Sequence, residues 1–150
     1  MKVRDLMIRD ITAVFADQKV EDVIKICSKQ FFTGLPVVDE EMKVIGFISE
    51  SDIISGAVPS YYSMLQSASF IPDTNQFKRN LERIKDKPVS EFMTKPRIVK
   101  ESDSAIYAAD LLIRNGWRML CVVDDEEKLV GLVTRMQLLW GIIRNKNSER

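Results

Sequence analysis

Histidine is absent from this 150-residue chain, and cysteine occurs only at positions 27 and 121. Without histidine the commonest general base and the commonest zinc or iron ligand are missing, which removes the usual triad hydrolases and zinc sites. Cys27 and Cys121 stand apart rather than in CxxC pairs, each among apolar neighbours. They read as buried thiols of a reducing compartment, not as a bridge. Long apolar runs are missing too: the longest, Leu138 to Ile143, falls far short of the roughly 20 residues that span a bilayer. Lys2, Arg4, Asp5, Arg9 and Asp10 interrupt the N-terminus and leave no apolar core for a signal peptide, so a cytoplasmic protein without a membrane segment is expected. No sign of charge dominates, because 22 basic side chains face 22 acidic ones. There is no global field to gather nucleic acid or an anionic membrane.

What is present is a repeat. The stretch from Gly34 to Ser49 aligns without gaps on Met119 to Thr134 at an offset of 85. Val37, Val38, Asp39, Glu41, Lys43 and Gly46 recur as Val122, Val123, Asp124, Glu126, Lys128 and Gly131. With one residue of slippage, Val3, Leu6 and Met7 pair with Val89, Phe92 and Met93. The chain therefore divides into copy one at 1–56, a helical insert at 57–86, copy two at 87–145 and a polar tail at 146–150.

Each copy has the same coarse pattern. A short strand near Thr12 to Phe15 precedes an amphipathic helix with Val20, Val23, Ile24, Cys27 and Phe31 at helical spacing after Asp17, a candidate N-cap. The equivalents Ala105, Ala108, Ala109, Leu112 and Gly116 follow Ser102. Leu35 to Asp39 and Lys43 to Ile48 then form a hairpin around an acidic turn at Glu40 to Met42, with so little polar face that burial on both sides is expected. A second helix follows Ser49, and its counterpart follows Thr134. A unit of about 50 residues is near the lower limit for folding alone. The copies should pack on each other and leave two related clefts along the pseudo-axis.

The β-α-β-β-α order, Leu35-Pro-Val-Val-Asp39 and Gly46-Phe-Ile-Ser-Glu-Ser-Asp52 resemble a CBS domain, named for cystathionine beta-synthase. Leu120-Cys-Val-Val-Asp124 and Gly131-Leu-Val-Thr-Arg-Met-Gln137 resemble it again, so the chain is similar to a tandem CBS pair, or Bateman module. The resemblance implies an α/β (α+β) fold of two pseudo-symmetric units packed through their sheets. It also implies regulation by AMP, ADP, ATP or S-adenosylmethionine bound between the copies, commonly in homodimers acting on a partner protein. No residues are left over for a catalytic domain, and no catalytic cofactor or metal is expected.

The chemistry of Ser49-x-x-Asp52 has two readings. As a strand gives way to a helix, free backbone N–H groups attract phosphate, Ser49 adds a hydroxyl, and Asp52 presents a carboxylate to two vicinal ribose hydroxyls. The same spacing is a capping box, which Thr134-x-x-Gln137 also fits. The resemblance favours ribose binding for Asp52. It implies an adenine pocket from Thr12, Ala13, Pro36 and Phe47, and a phosphate side from Thr33, Arg118, Arg135 and Met136, where guanidinium forks suit phosphate oxygens. Phe47 also reads as plain core, and Arg118 and Arg135 as solvated surface. Copy two offers a weaker second site at Thr134, Gln137, Arg97 and Ile98, because Gln137 is neutral where the family has an acid.

In the insert, Ser60 and Asp73 are candidate N-caps for two short helices split at Ile71-Pro72, the first with Tyr61, Met64, Leu65 and Ala68, the second with Phe77, Leu81 and Ile84. Lys78, Arg79, Arg83, Lys85 and Lys87 are interleaved with Glu82 and Asp86, which reads as a solvated face rather than a nucleic-acid surface. Tyr61, Tyr62 and Phe70 read as a cover for a cleft or dimer surface, or as a satellite core. The leading expectation is a non-enzymatic adenosine-ligand sensor. The alternative is a ligand-free dimerisation scaffold, suggested by Gln137 and by cysteine in place of the family's proline at position 121. An enzyme using Asp52 as base lacks a second titrating partner.

Overall fold

The computed structural model describes residues 1–58 and 75–145. Copy one runs β1 (Val14–Phe15), α1 (Val20–Gln30), β2 (Gly34–Val38), β3 (Val44–Ser49) and α2 (Glu50–Ala57). Helix α3 (Gln76–Ile84) follows. Copy two repeats the order as β4 (Ile98–Lys100), α4 (Ala105–Asn115), β5 (Met119–Val123), β6 (Leu129–Thr134) and α5 (Arg135–Arg144). Each copy holds one mixed three-stranded sheet, ordered β1-β2-β3 and β4-β5-β6, with a parallel pair followed by an antiparallel pair.

Every residue of β2 and β5 is buried, as the continuous apolar runs require. Alternate side chains divide between two environments. Leu120 and Val122 face the helices of copy two, whereas Met119, Cys121 and Val123 join Val38, Val44 and Phe47 in a cluster between the sheets. The copies thus pack sheet against sheet. The shared Asp39 and Asp124 make the hairpin turns: each carboxylate accepts from the amides two and four residues on. That turn places Met42 and Glu127 at φ 65.

The start of each copy crosses to the other. Val3 and Leu6 lie in the core of copy two, and Val89, joined by Ile84 at the end of α3, in that of copy one. Backbone bonds fix the exchange: the Val3 amide donates to Asp103 O at 2.9 Å, and the Val89 amide to Gln18 O at 2.7 Å. Residues grouped by the repeat with one copy are therefore built into its twin.

Several local expectations are corrected. The first helix begins after Lys19 rather than Asp17, with the Asp22 carboxylate accepting from the Lys19 amide, and α4 is capped by Ser104 rather than Ser102. Phe31 does not face the core; it ends α1 in the left-handed region and is 92% exposed. Asn75 precedes α3, and the expected cap Asp73, the helix after Ser60 and the Tyr61, Tyr62 and Phe70 cluster lie outside the described residues. Helix α3 packs on α2, where buried Asn80 donates to Ala57 O at 2.8 Å. Its cations face solvent, and Lys85 pairs with Glu82 and Glu21.

Candidate functional site

At the end of β3 the Ser49 hydroxyl accepts from the Asp52 amide at 3.2 Å. In return Asp52 Oδ2 accepts from the Ser49 amide at 2.8 Å and from the Ser49 hydroxyl at 2.9 Å. The capping box is complete. Both return bonds fall on Oδ2, and among the described residues Oδ1 accepts from none. The carboxylate therefore serves the helix with one oxygen and keeps the other available. In copy two only half the box forms: Thr134 accepts from the Gln137 amide at 3.1 Å, without the return bond.

Phe47 is 1% exposed and sits in the cluster between the sheets, paired in register with buried Pro36. The plain-core reading of this ring is what its packing supports. Ala13 and Ile98 are half-buried against the same cluster. Thr12 turns its amide and hydroxyl onto Asp10 Oδ1, at 2.8 and 2.6 Å. Thr33 Oγ lies 4.0 Å from Met119 Sδ and so touches copy two.

The expected phosphate side meets at the backbone, where the Arg135 amide donates to Arg118 O at 3.3 Å. Arg118 and Met136 are exposed. Arg135 donates through Nε to Trp117 O at 2.8 Å and through its terminal nitrogen to Leu112 O at 3.5 Å. It satisfies carbonyls at the end of α4, a structural task that the sequence reading did not anticipate.

Arg97, expected in the second site with Gln137, lies between rings of the two copies. Its Cζ is 4.4 Å from the Phe47 ring centroid and 5.2 Å from that of Trp117. Burial lowers the guanidinium pKa from its ordinary value, while the Asp52 carboxylate and the Cys121 thiol act in the opposite sense. Trp117 was missed as a site residue; its one signal was an aromatic next to Arg118, just ahead of the repeated strand. Cys121 is buried beside this group and its thiol is pushed up to about 12, chiefly by burial. It is an inert core thiol. An apolar cavity of about 300 Å³ lies among α1, α2 and α3, lined by Glu50, Ile53 and Ile54 of α2 rather than by Asp52.

The CBS domain model matches residues 3–58 and 89–144, the two copies with their exchanged starts. The chain belongs to the CBS domain family. It is a tandem CBS pair with one mixed sheet in each domain. Uncharacterized protein MJ1426 of Methanocaldococcus jannaschii is 32% identical over 95% of this chain and 92% of its own length. CBSX1, a chloroplastic CBS domain-containing protein of Arabidopsis thaliana, is 30% identical over 93% of this chain, which spans 62% of that relative. The crystal structure of CBSX2 in complex with AMP superposes with a TM-score of 0.71 at 26% identity, covering 95% of this chain and 96% of that one.

Proposed function

We propose that this CBS pair is a non-enzymatic regulatory module that binds an adenosine ligand between its two domains and signals through their relative packing. The ligand set is AMP, ADP, ATP or S-adenosylmethionine. One observation carries the reading: Asp52 caps α2 with Oδ2 alone and keeps Oδ1 unengaged among the described residues, in a fold shared with a protein crystallised with AMP. In this proposal Asp52 receives the ribose, and Ser49 with the α2 N-terminus receives phosphate. Thr12, Ala13 and Pro36 surround the base, and Phe47 stays in the core beneath Arg97. Thr33, Arg118, Arg135 and Met136 form the phosphate side, and Thr134, Gln137 and Ile98, with Arg97 between the copies, form a weaker second site. The module acts as a homodimer on a partner protein and needs no catalytic cofactor.

A second reading, a ligand-free dimerisation scaffold, draws on the incomplete box at Gln137 and on the engagement of Arg135 with backbone carbonyls.

Thermal melting with AMP, ADP, ATP, S-adenosylmethionine and NADH separates the two. A ligand at about 100 times its dissociation constant adds roughly 2.7 kcal/mol to the folded state. Asp52→Ala lowers the melting point before any ligand is added, since it removes the return half of the capping box while Ser49 still caps the helix, a loss of about 0.5–1 kcal/mol. It is expected to abolish most of the ligand-induced shift measured from that new baseline, whereas Gln137→Ala changes it little. The reverse pattern assigns the site to copy two, and no shift with any adenosine ligand leaves the scaffold reading.

A further inference from the structure

Arg97 reaches copy one from the opposite domain. It stands just ahead of β4, where its carbonyl accepts from the Cys121 amide at 2.7 Å and fixes the backbone from which the side chain departs. One ring from each domain flanks the guanidinium, Phe47 from copy one and Trp117 from copy two. Because Phe47 is 1% exposed, a molecule arriving at this end of β3 meets the guanidinium and not the ring beneath it. Among the described residues Arg97 makes no ion pair, and its charge rests on the two rings. A half-buried cation stacked on aromatic carbon has lost part of its hydration, and Asp52 acts on it only at longer range. Such a group gains by pairing with an anion and loses by meeting a second cation.

We propose that Arg97 selects the charge of the ligand, admitting adenosine ligands that carry phosphate and rejecting the cationic S-adenosylmethionine. The inference rests on the nucleotide reading above and narrows it. Phosphate oxygens match the guanidinium fork bidentately, and once ribose hydroxyls engage Asp52 they supply the negative charge the arginine lacks. A sulfonium in the same place sets like charges together where water is partly excluded, which costs several-fold to many-fold in affinity. A mere brace between the domains has no reason to tell these two ligands apart.

Calorimetric titration of the intact chain with AMP, adenosine and S-adenosylmethionine tests this, comparing wild type with Arg97→Gln and Arg97→Lys. Wild type is expected to bind AMP at least about tenfold more tightly than S-adenosylmethionine. Arg97→Gln is expected to bring that ratio close to one, and Arg97→Lys, which keeps the charge, to preserve most of it. Melting curves without ligand establish that each variant is folded, and Arg97→Met, which keeps the apolar packing on Phe47 and Trp117 without the charge, carries the test with the same expected loss of preference if Arg97→Gln is not. An unchanged ratio in Arg97→Gln overturns the proposal. So does a wild type that binds adenosine yet shows no preference for AMP, a result that leaves the nucleotide reading intact. A wild type that binds none of the three removes both.

Discussion

Phe31 and Gly116 occupy the same place in the two copies, at the C-terminal end of the first helix, with φ of 57 and 65. The left-handed region costs a residue with a Cβ about 1–2 kcal/mol, partly balanced by the greater chain entropy that glycine loses on folding. The Phe31 ring is exposed, so little burial offsets the strain. Phe31→Gly is accordingly expected to stabilise the fold by about 0.5–1 kcal/mol, read as a higher urea midpoint with unchanged slope. A lower midpoint would show that the ring makes a contact worth more than the strain. Helical spacing had assigned this ring to the core, because periodicity registers which residues share a face but not where a helix stops. Asp39 and Asp124 were legible as a recurring pair at the end of a strand, and the structure adds that their carboxylates accept from the turn amides two and four residues on.

Between elements, the recurrence of Gly46 and Gly131 has a steric cause outside the site. The exchanged segments run past these glycines, forming isolated bridges between Phe47 and Thr94 and between Ile8 and Leu132. A Cβ on Gly131 would stand 2.4 Å from Ile8 O, a backbone atom, whereas one on Gly46 would stand 2.9 Å from Met93 Sδ, the far part of a flexible side chain, and 3.0 Å from Thr94 O. Both Gly→Ala substitutions are expected to destabilise, Gly131→Ala by about 2–3 kcal/mol and Gly46→Ala by less, in chemical denaturation. Equal losses would mean that the N-terminal segment yields as readily as a methionine side chain. The recurrence of glycine was visible from the sequence, but its cause was not, since the approaching segment comes from the other copy.

The whole molecule is held by the same exchange. Val3 and Leu6 complete the core of copy two, and Val89 and Ile84 that of copy one. Residues 1–58 and 75–145 expressed separately are expected to lack cooperative melting transitions, because each piece carries part of its neighbour's core and exposes the cluster between the sheets. Mixing the pieces should restore a transition; two independently folded halves would contradict this. The helices of copy two expose Ile106, Ile113, Leu139, Trp140 and Ile143, whereas α2 of copy one is packed against α3. The proposed dimer uses this apolar surface. Light scattering is expected to give twice the 17.2 kDa chain mass, and Trp140→Glu with Ile143→Glu to halve it. A wild-type monomer at micromolar concentration would refute the dimer.

The sequence by itself determined the duplication, the order of elements, the burial of β2 and β5 and the box at Ser49 and Asp52. Each depends on interactions a few residues apart, which leave their mark as period, spacing or repetition. Only the tertiary structure decided that the starts of the copies change places, that Asp52 serves the cap with one oxygen, that Arg135 is engaged by its own domain and that Arg97 lies on Phe47. These depend on which distant segments meet once apolar faces are buried, and local pattern carries no record of that partner.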